Sequence, residues 1–398
     1  MDSSLQTFSS VQEESSQLSD DRSDGYDIDL QYDKQDQVSG EGSIMGAFIG
    51  DAAGAHVEYL YKVTDNLLEE SMNLVGGGAH NLAPGQITED SEMALSIFQS
   101  LLKSQGFLDL DELASHNLDW IKTNPFDLGF TTKTALTPLL CNARGIFEQV
   151  KKLNSCSQSN GCLKRITPFA VWGSQLSNDD LYKAVYLQTY MTHCHQIAID
   201  STYIYCYTIK LILNGNLDRK SIFDLAREEA LNRNWFQICE WLDEALNFNL
   251  PCTTKNEGWL KIAFIHAFHY LISGSSYQQA IRQMIRKGGD TDTNAAIVGG
   301  LVGAFYEVQE LDQSMVNKVM NLRFLEEMPN ESYPYKRKQG VKRPDFMVAG
   351  LVFTQTNLYK FFRHIPTELK VIFLGKIYQN EQIDELIKKY PLSNSESS

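Results

Sequence analysis

Two stretches of this chain are too bare to fold anywhere but against another backbone. Residues 42–60 read GSIMGAFIGDAAGAHVEYL, with Gly46, Gly50 and Gly54 at four-residue spacing and Ile44, Phe48 and Ala52 beside them. Residues 286–307 read RKGGDTDTNAAIVGGLVGAFYE, where Ala295, Gly299 and Gly303 form one small stripe and Ala296, Gly300 and Ala304 a second. Glycine weakens an isolated helix. Repeated every four residues, it lets a neighbouring backbone come close. A helix with two such stripes packs on two sides, so its N-terminus lies deep in the protein. Asp51, set among small residues, is expected to be buried as well.

The helix start at 290–293 is acidic. Asp290 and Asp292 alternate with Thr291 and Thr293 behind the Gly288-Gly289 turn. A buried carboxylate needs a compensating partner, and few Lys or Arg residues are nearby in sequence. A bound cation is the natural candidate, because Asp, Thr and carbonyl oxygens suit hard ions such as Mg²⁺, Mn²⁺ or Ca²⁺. One residue of the four suffices to cap the helix, and the excess needs another explanation. The same excess occurs at Thr88-Glu89-Asp90-Ser91, ahead of Ala94, Ile97, Phe98, Leu101 and Leu102 at helical spacing. Thr88 suits an N-cap and the acids suit the helix dipole. Two acidic helix starts can converge on one or two divalent ions.

The remaining patterns are helical, at about 109–122, 132–152, from Asp179, 197–213, 219–231, 234–247, 257–272, 276–287, 316–326 and 380–389; 348–362 is an ambiguous apolar run. Strand signals are few. The expected fold is all-α, one domain over 41–390. Residues 1–40 are rich in Ser, Asp, Gln and Glu and are expected to be a disordered acidic tail, and 391–398 a polar tail. The net charge of −15 argues against a nucleic-acid partner held by a basic surface. The seven cysteines show no CxxC pair and read as reduced thiols. With no apolar run of roughly 20 residues and no secretory signal, a monomer in the cytosol or nucleus is expected, with no membrane partner.

Several segments, in order, resemble the ADP-ribosyl glycohydrolase family: GAFIGDAAGAHVEY, PGQITEDSEMAL, PFDLGFTTKTAL, SNGCLKRITPFAV, THCHQIAIDS and GGDTDTNAAIVGGLVGAFYE. The resemblance implies an all-α fold with two Mg²⁺ ions (Mn²⁺ as a substitute) in a cleft. It implies hydrolysis of the bond from ADP-ribose to a modified protein or a small acceptor. By position it implies Thr88, Glu89, Asp90, Asp290, Asp292 and Thr293 as metal ligands. Asp127 falls by the substrate ribose. Gly129, Ser159, Asn160, Gly161 and His193 line the ADP-ribose cleft, and Glu58 falls on an active-site loop. Glu89 or Asp90 is the first candidate for the base and Asp127 the second. Backbone N–H groups of the Ser159–Gly161 turn are candidates for the diphosphate. Two departures stand out. The family pattern reads Thr-Asp-Asp where this chain has Thr88-Glu89-Asp90, and Cys162-Leu163-Lys164 replaces small residues, which is expected to alter the cleft's shape. The first keeps a second reading open, a weak or inactive member that binds ADP-ribose. His193-Cys194-His195 and the His266/His269 pair read as structural, not as a zinc site or a Cys–His dyad, with His193 the exception because the resemblance gives it a place in the cleft.

Overall fold

The computed structural model describes residues 40–320 and 379–390. All of these described residues fall in one compact unit. Except for Gly40, the expected N-terminal tail lies outside the described residues. So do 391–398 and the run 348–362. The first half holds α1 (Glu41–Gly54), α2 (Asp65–Met72), α3 (Glu89–Lys103), α4 (Leu110–Lys122), α5 (Phe130–Ala135), α6 (Ala143–Leu153) and α7 (Thr167–Gly173). The second holds α8 (Asn178–Thr189), α9 (Gln196–Asn214), α10 (Arg219–Asn232), α11 (Phe236–Leu246), α12 (Leu260–Ile272), α13 (Tyr277–Arg286), α14 (Thr291–Gly303), α15 (Gln313–Met320) and α16 (Gln379–Lys389). No strand occurs among the described residues, only isolated bridges at Gly77–Leu82 and Ser159–Trp259. The fold is all-α.

Its centre is the antiparallel pair α1 and α14. A β-carbon on Gly50 would overlap the Ala295 carbonyl, and one on Gly54 would overlap the Thr291 carbonyl and the Asp292 backbone. Gly46 and Gly299 face each other in the same way. The second small stripe of α14 meets other helices, with Gly300 against Thr167 of α7 and Tyr205 of α9. Side chains reach across to main-chain carbonyls. The Tyr205 hydroxyl donates to Ile297 O at 2.7 Å, Tyr277 to Gly46 O at 2.7 Å and Ser43 to Gly300 O at 2.8 Å. Large apolar residues, including Phe48, Phe169, Tyr203, Phe264 and Phe268, complete a core around the pair. Because the pair is antiparallel, the end of α1 and the start of α14 lie side by side.

Two local expectations need correcting. The helix expected over 132–152 is broken into α5 and α6. Pro138 disfavours a helical residue before it, and Asn142 restarts the helix by accepting from Gly145 N at 2.9 Å. The helix α2 was not expected; it has eight residues and buries only Leu68 and Ser71, too little to show a period. At the other end, α16 lies on α8, with Lys183 Nζ 2.7 Å from Asp384.

Candidate active site

The start of α3 is capped from outside. Thr88 N donates to both Asp51 oxygens at 3.1 and 3.0 Å. Ser91 donates to Asp51 Oδ2 from N at 3.2 Å and from Oγ at 2.5 Å. Thr88 Oγ1 accepts from Asp90 N at a longer 3.4 Å. Asp51 is fully buried, as expected, and burial pushes its carboxyl up to about 6 against the pull of these bonds. With Asp51 and Thr88 holding the free N–H groups, Glu89 and Asp90 are not needed as caps. Their side chains are buried and turned to other work.

The start of α14 is built by backbone conformation. Gly288 and Gly289 have φ of 72° and 82°, a region that favours glycine. Gly289 N donates to Leu60 O at 3.0 Å, and Tyr59 N to Gly289 O at 2.8 Å. This ties the start of α14 to the segment after α1, which carries Glu58. Carboxylate oxygens of Glu58, Asp290 and Asp292 lie within 4.8 Å of one another. Thr291 is spent on structure, donating to Gly54 O at 2.7 Å. Asp292 Oδ1 accepts from Thr293 N at 2.7 Å, and Asp290 Oδ2 from the Asn160 amide at 2.6 Å. Burial holds the Asp292 carboxyl well above the usual range, and Glu58, Asp90, Asp290 and Asp51 add to it.

Between the two starts stands Lys164. Its ammonium lies 2.5 Å from Glu89 Oε1 and 2.5 Å from Asp90 Oδ1, and the side chain is buried. Burial works against its charge, but Asp90 and Glu89 outweigh it and hold the pKa well above that of a free lysine. The partner of Glu89 and Asp90 is thus a lysine remote from them in sequence. Cys162 and Leu163 are fully buried in the core, so of the three residues that depart from the small-residue pattern, Lys164 is the one that reaches this cluster. Glu89 Oε2 and Asp90 Oδ2 have no hydrogen-bond partner among the described residues.

Around this cluster lie the other expected residues. Gly129 is exposed, and a β-carbon there would come 3.9 Å from Glu89 Oε1. Asp127 is half-buried and its pKa is raised by burial and then by Glu89, with Lys164 and His80 opposing. Asn160 joins the α14 start, and its N–H is spent on Gly258 O at 2.9 Å, which removes one of the donors expected for an anion. His193 is fully buried and supports the turn from behind. It bonds Ser159 Oγ at 2.6 Å and Thr192 Oγ1 at 2.7 Å, and burial holds its pKa well below the usual value. Its ring packs against Gly161. An open groove of about 480 Å³, lined by Gln158, Ser159, Asn256, Gly258 and Trp259, borders this turn. His195 caps α9 and Cys194 donates to Val150 O, so His193-Cys194-His195 does not converge.

Two residues of the site were missed from sequence. His80 lies 3.1 Å from Glu58 Oε2 and 3.8 Å from Asp127 Oδ2, and its pKa is raised by the Glu58 bond against burial. It sits in a glycine-rich loop where one histidine carries no pattern. Arg165 is buried and donates to Gly161 O at 3.0 Å and Thr192 Oγ1 at 2.6 Å, fixing the turn that Ser159 and Asn160 open.

A sequence profile described as ADP-ribosylglycohydrolase matches residues 33–342, most of the chain. The chain belongs to this family. It is similar to a putative ADP-ribosyl glycohydrolase of Acanthamoeba polyphaga mimivirus, 28% identical over 75% of this chain and 95% of that one. It is also similar to the ADP-ribosyl-dinitrogen reductase glycohydrolase of Rhodospirillum rubrum, 27% identical over 70% of this chain and 89% of the relative. A solved structure titled ADP-ribosylglycohydrolase-related protein complex shares the fold with a TM-score of 0.55 over 71% of this chain and 93% of that chain, at 24% identity. As a member of the ADP-ribosylglycohydrolases, the chain is a glycosidase acting on ADP-ribosyl bonds.

The family resemblance implies metal ions, and the donor set can be tested against that. Glu58, Asp290 and Asp292 form a buried group of oxygen donors, in which burial first and then the neighbouring carboxylates raise the Asp292 pKa, and a hard cation suits such a group. That group fits one ion. A second group, Glu58, His80 and Asp127, shares Glu58 with the first. Neither includes Glu89 or Asp90, whose nearest cation is Lys164. No helix among the described residues is long and apolar enough to cross a membrane.

Proposed function

We propose that this ADP-ribosylglycohydrolase removes ADP-ribose from modified proteins in a reaction that depends on a divalent cation, with Mg²⁺ preferred and Mn²⁺ a substitute. The observation that carries the reading is the buried meeting of Glu58, Asp290 and Asp292 beside a half-buried Asp127. A bound divalent cation supplies Lewis-acid polarisation of a sugar oxygen and a lower pKa for nearby water. Asp292, Asp290 and Glu58 would hold it, with Thr293 and Thr88 at the edges.

Asp127 is the better base on this geometry. Glu89 and Asp90 are engaged by Lys164, whereas Asp127 is half-buried, faces His80 and has a raised pKa. A raised carboxyl pKa brings proton transfer closer to neutral pH. His80, between Glu58 and Asp127, orients both. The carboxylates around the site favour positive charge developing at the anomeric carbon. The Ser159–Gly161 turn, braced by His193 and Arg165, positions the rest of the substrate beside the groove at Trp259. The substrate class follows the relatives: one acts on ADP-ribosylated dinitrogen reductase, and another, 24% identical, is an ADP-ribosylarginine hydrolase of Pseudomonas putida.

The test is release of free ADP-ribose from proteins modified on arginine or on serine, with Mg²⁺ or with chelator. Release that needs the divalent ion supports the reading. Tight binding of ADP-ribose with no release from either substrate would instead favour the binding-only member, and restored release in Glu89→Asp would name Glu89 as the cause.

A further inference from the structure

We propose that the Lys164 ammonium is a built-in cation of this site, standing where the family resemblance implies one of two divalent ions, so that the chain binds a single divalent ion at Glu58, Asp290 and Asp292. The inference rests on the cation-dependent reading above and concerns how many ions that reading requires.

Three observations carry it. The first is occupancy. Lys164 Nζ is 2.5 Å from both Glu89 Oε1 and Asp90 Oδ1. A Mg²⁺ ion bonds its oxygens at about 2.0–2.1 Å, so an ion on those two oxygens would collide with the ammonium. The second is anchoring. Lys164 follows Cys162 and Leu163, both fully buried, and precedes Arg165, which is bonded to Gly161 O and Thr192. Lys164 N itself donates to Asn160 O at 3.3 Å. The backbone that carries Lys164 is thus held on both sides, and withdrawing the ammonium would strand two buried carboxylates.

The third is that the two departures from the family pattern are one contact. Glu89 stands where the pattern has Asp, and Lys164 lies in the stretch where small residues are common. They meet through Glu89 Oε1. The extra methylene of Glu89 and the added lysine are parts of the same ion pair. The opposite side of the site has no lysine among the partners of its acids, and Glu58 instead lies 3.1 Å from His80 Nε2. Asp290 accepts from a neutral amide, and among the described residues Lys164 pairs only with Glu89 and Asp90.

The test counts ions and does not read activity. Mn²⁺ is titrated into the full chain without substrate, and bound ion is followed by the loss of the free-ion electron paramagnetic resonance signal. One ion per chain is expected for the natural protein, and two for Lys164→Met and Lys164→Gln, with folding checked by circular dichroism. Two ions in the natural protein overturn the lysine's role while leaving cation dependence intact. No ion at all removes the reading on which it rests. A count of one in folded Lys164→Met and Lys164→Gln also overturns the proposal. If neither variant folds, the natural protein's count decides alone: one upholds it, two or none overturns it.

Discussion

The starts of α3 and α14 carry the same signature, a threonine among acids ahead of a buried helix, and they end in opposite electrostatic states. At α3 the free N–H groups are taken by Asp51 from α1, and Glu89 and Asp90 hold Lys164. That side is neutralised from within. At α14 the acids Asp290 and Asp292 meet a third acid, Glu58, and an amide. That side gathers three acids whose repulsion a bound cation would relieve. A motif therefore states which donors are present, and the remote residue folded against it states whether they are free.

The largest expected effect breaks the open side. Asp292→Ala removes a donor from the only group of all-acid ligands found among the described residues. Losing even a supporting partner of a metal ligand costs about 10–100-fold, so ADP-ribose release should fall by more than about 100-fold. The natural protein should gain thermal stability with Mg²⁺, by about 2.7 kcal/mol at one hundred times the dissociation constant. Differential scanning calorimetry should show that gain vanish in Asp292→Ala. An undiminished gain would place the ion elsewhere.

The next effect breaks the closed side. Lys164→Ala leaves Glu89 and Asp90 buried without their cation. Breaking a buried ion pair from one side costs about 3–5 kcal/mol, readable by urea unfolding in chelator. On the open side, Asp292→Asn in chelator should have the opposite sign. The Asp292 carboxyl is held well above the usual range, so in the natural protein its contribution to stability is lost as pH rises through that value, and asparagine has no such loss. Variants of the same sign at both starts would erase the distinction drawn between them.

The sequence revealed the scaffold better than the charge balance. Glycines at four-residue spacing have one physical use in a long helix, and Gly46, Gly50, Gly299 and Gly303 meet as that use requires. The donors at 88–90 and 290–293 were legible for a similar reason, since capping needs fewer of them. Lys164 was visible as a departure, but nothing in its own neighbourhood says that it reaches Glu89, 75 positions away. His80 and Arg165 were missed for the same reason: each acts through contacts made only in three dimensions. The break at Pro138 was legible in principle, and the apolar residues on both sides concealed it.

The smallest expected effect uses a buried carboxylate outside both helix starts as the reference for the comparison. Asp200 on α9 is 5% exposed, and Gln196 Nε2 donates to it at 2.7 Å. Burial pushes its pKa from 3.8 up to about 7, with Gln196 and Arg233 pulling the other way. The folded state therefore holds a proton that the unfolded state has lost between those values. By linkage, the stability carried by Asp200 is fully present below about pH 4 and is lost as pH rises through about 7. Asp200→Asn has no such loss. It should match the natural protein near pH 4 and exceed it at pH 8 by about 1–2 kcal/mol, below the ceiling of roughly 4 kcal/mol that so large a rise in pKa would set. Urea unfolding at both pH values measures this, and a difference that does not change with pH would show that burial alone is not costly here. In that case the contrast between a lysine at α3 and an unmet need at α14 would lose its basis, because both are argued from the cost of a carboxylate buried without a cation.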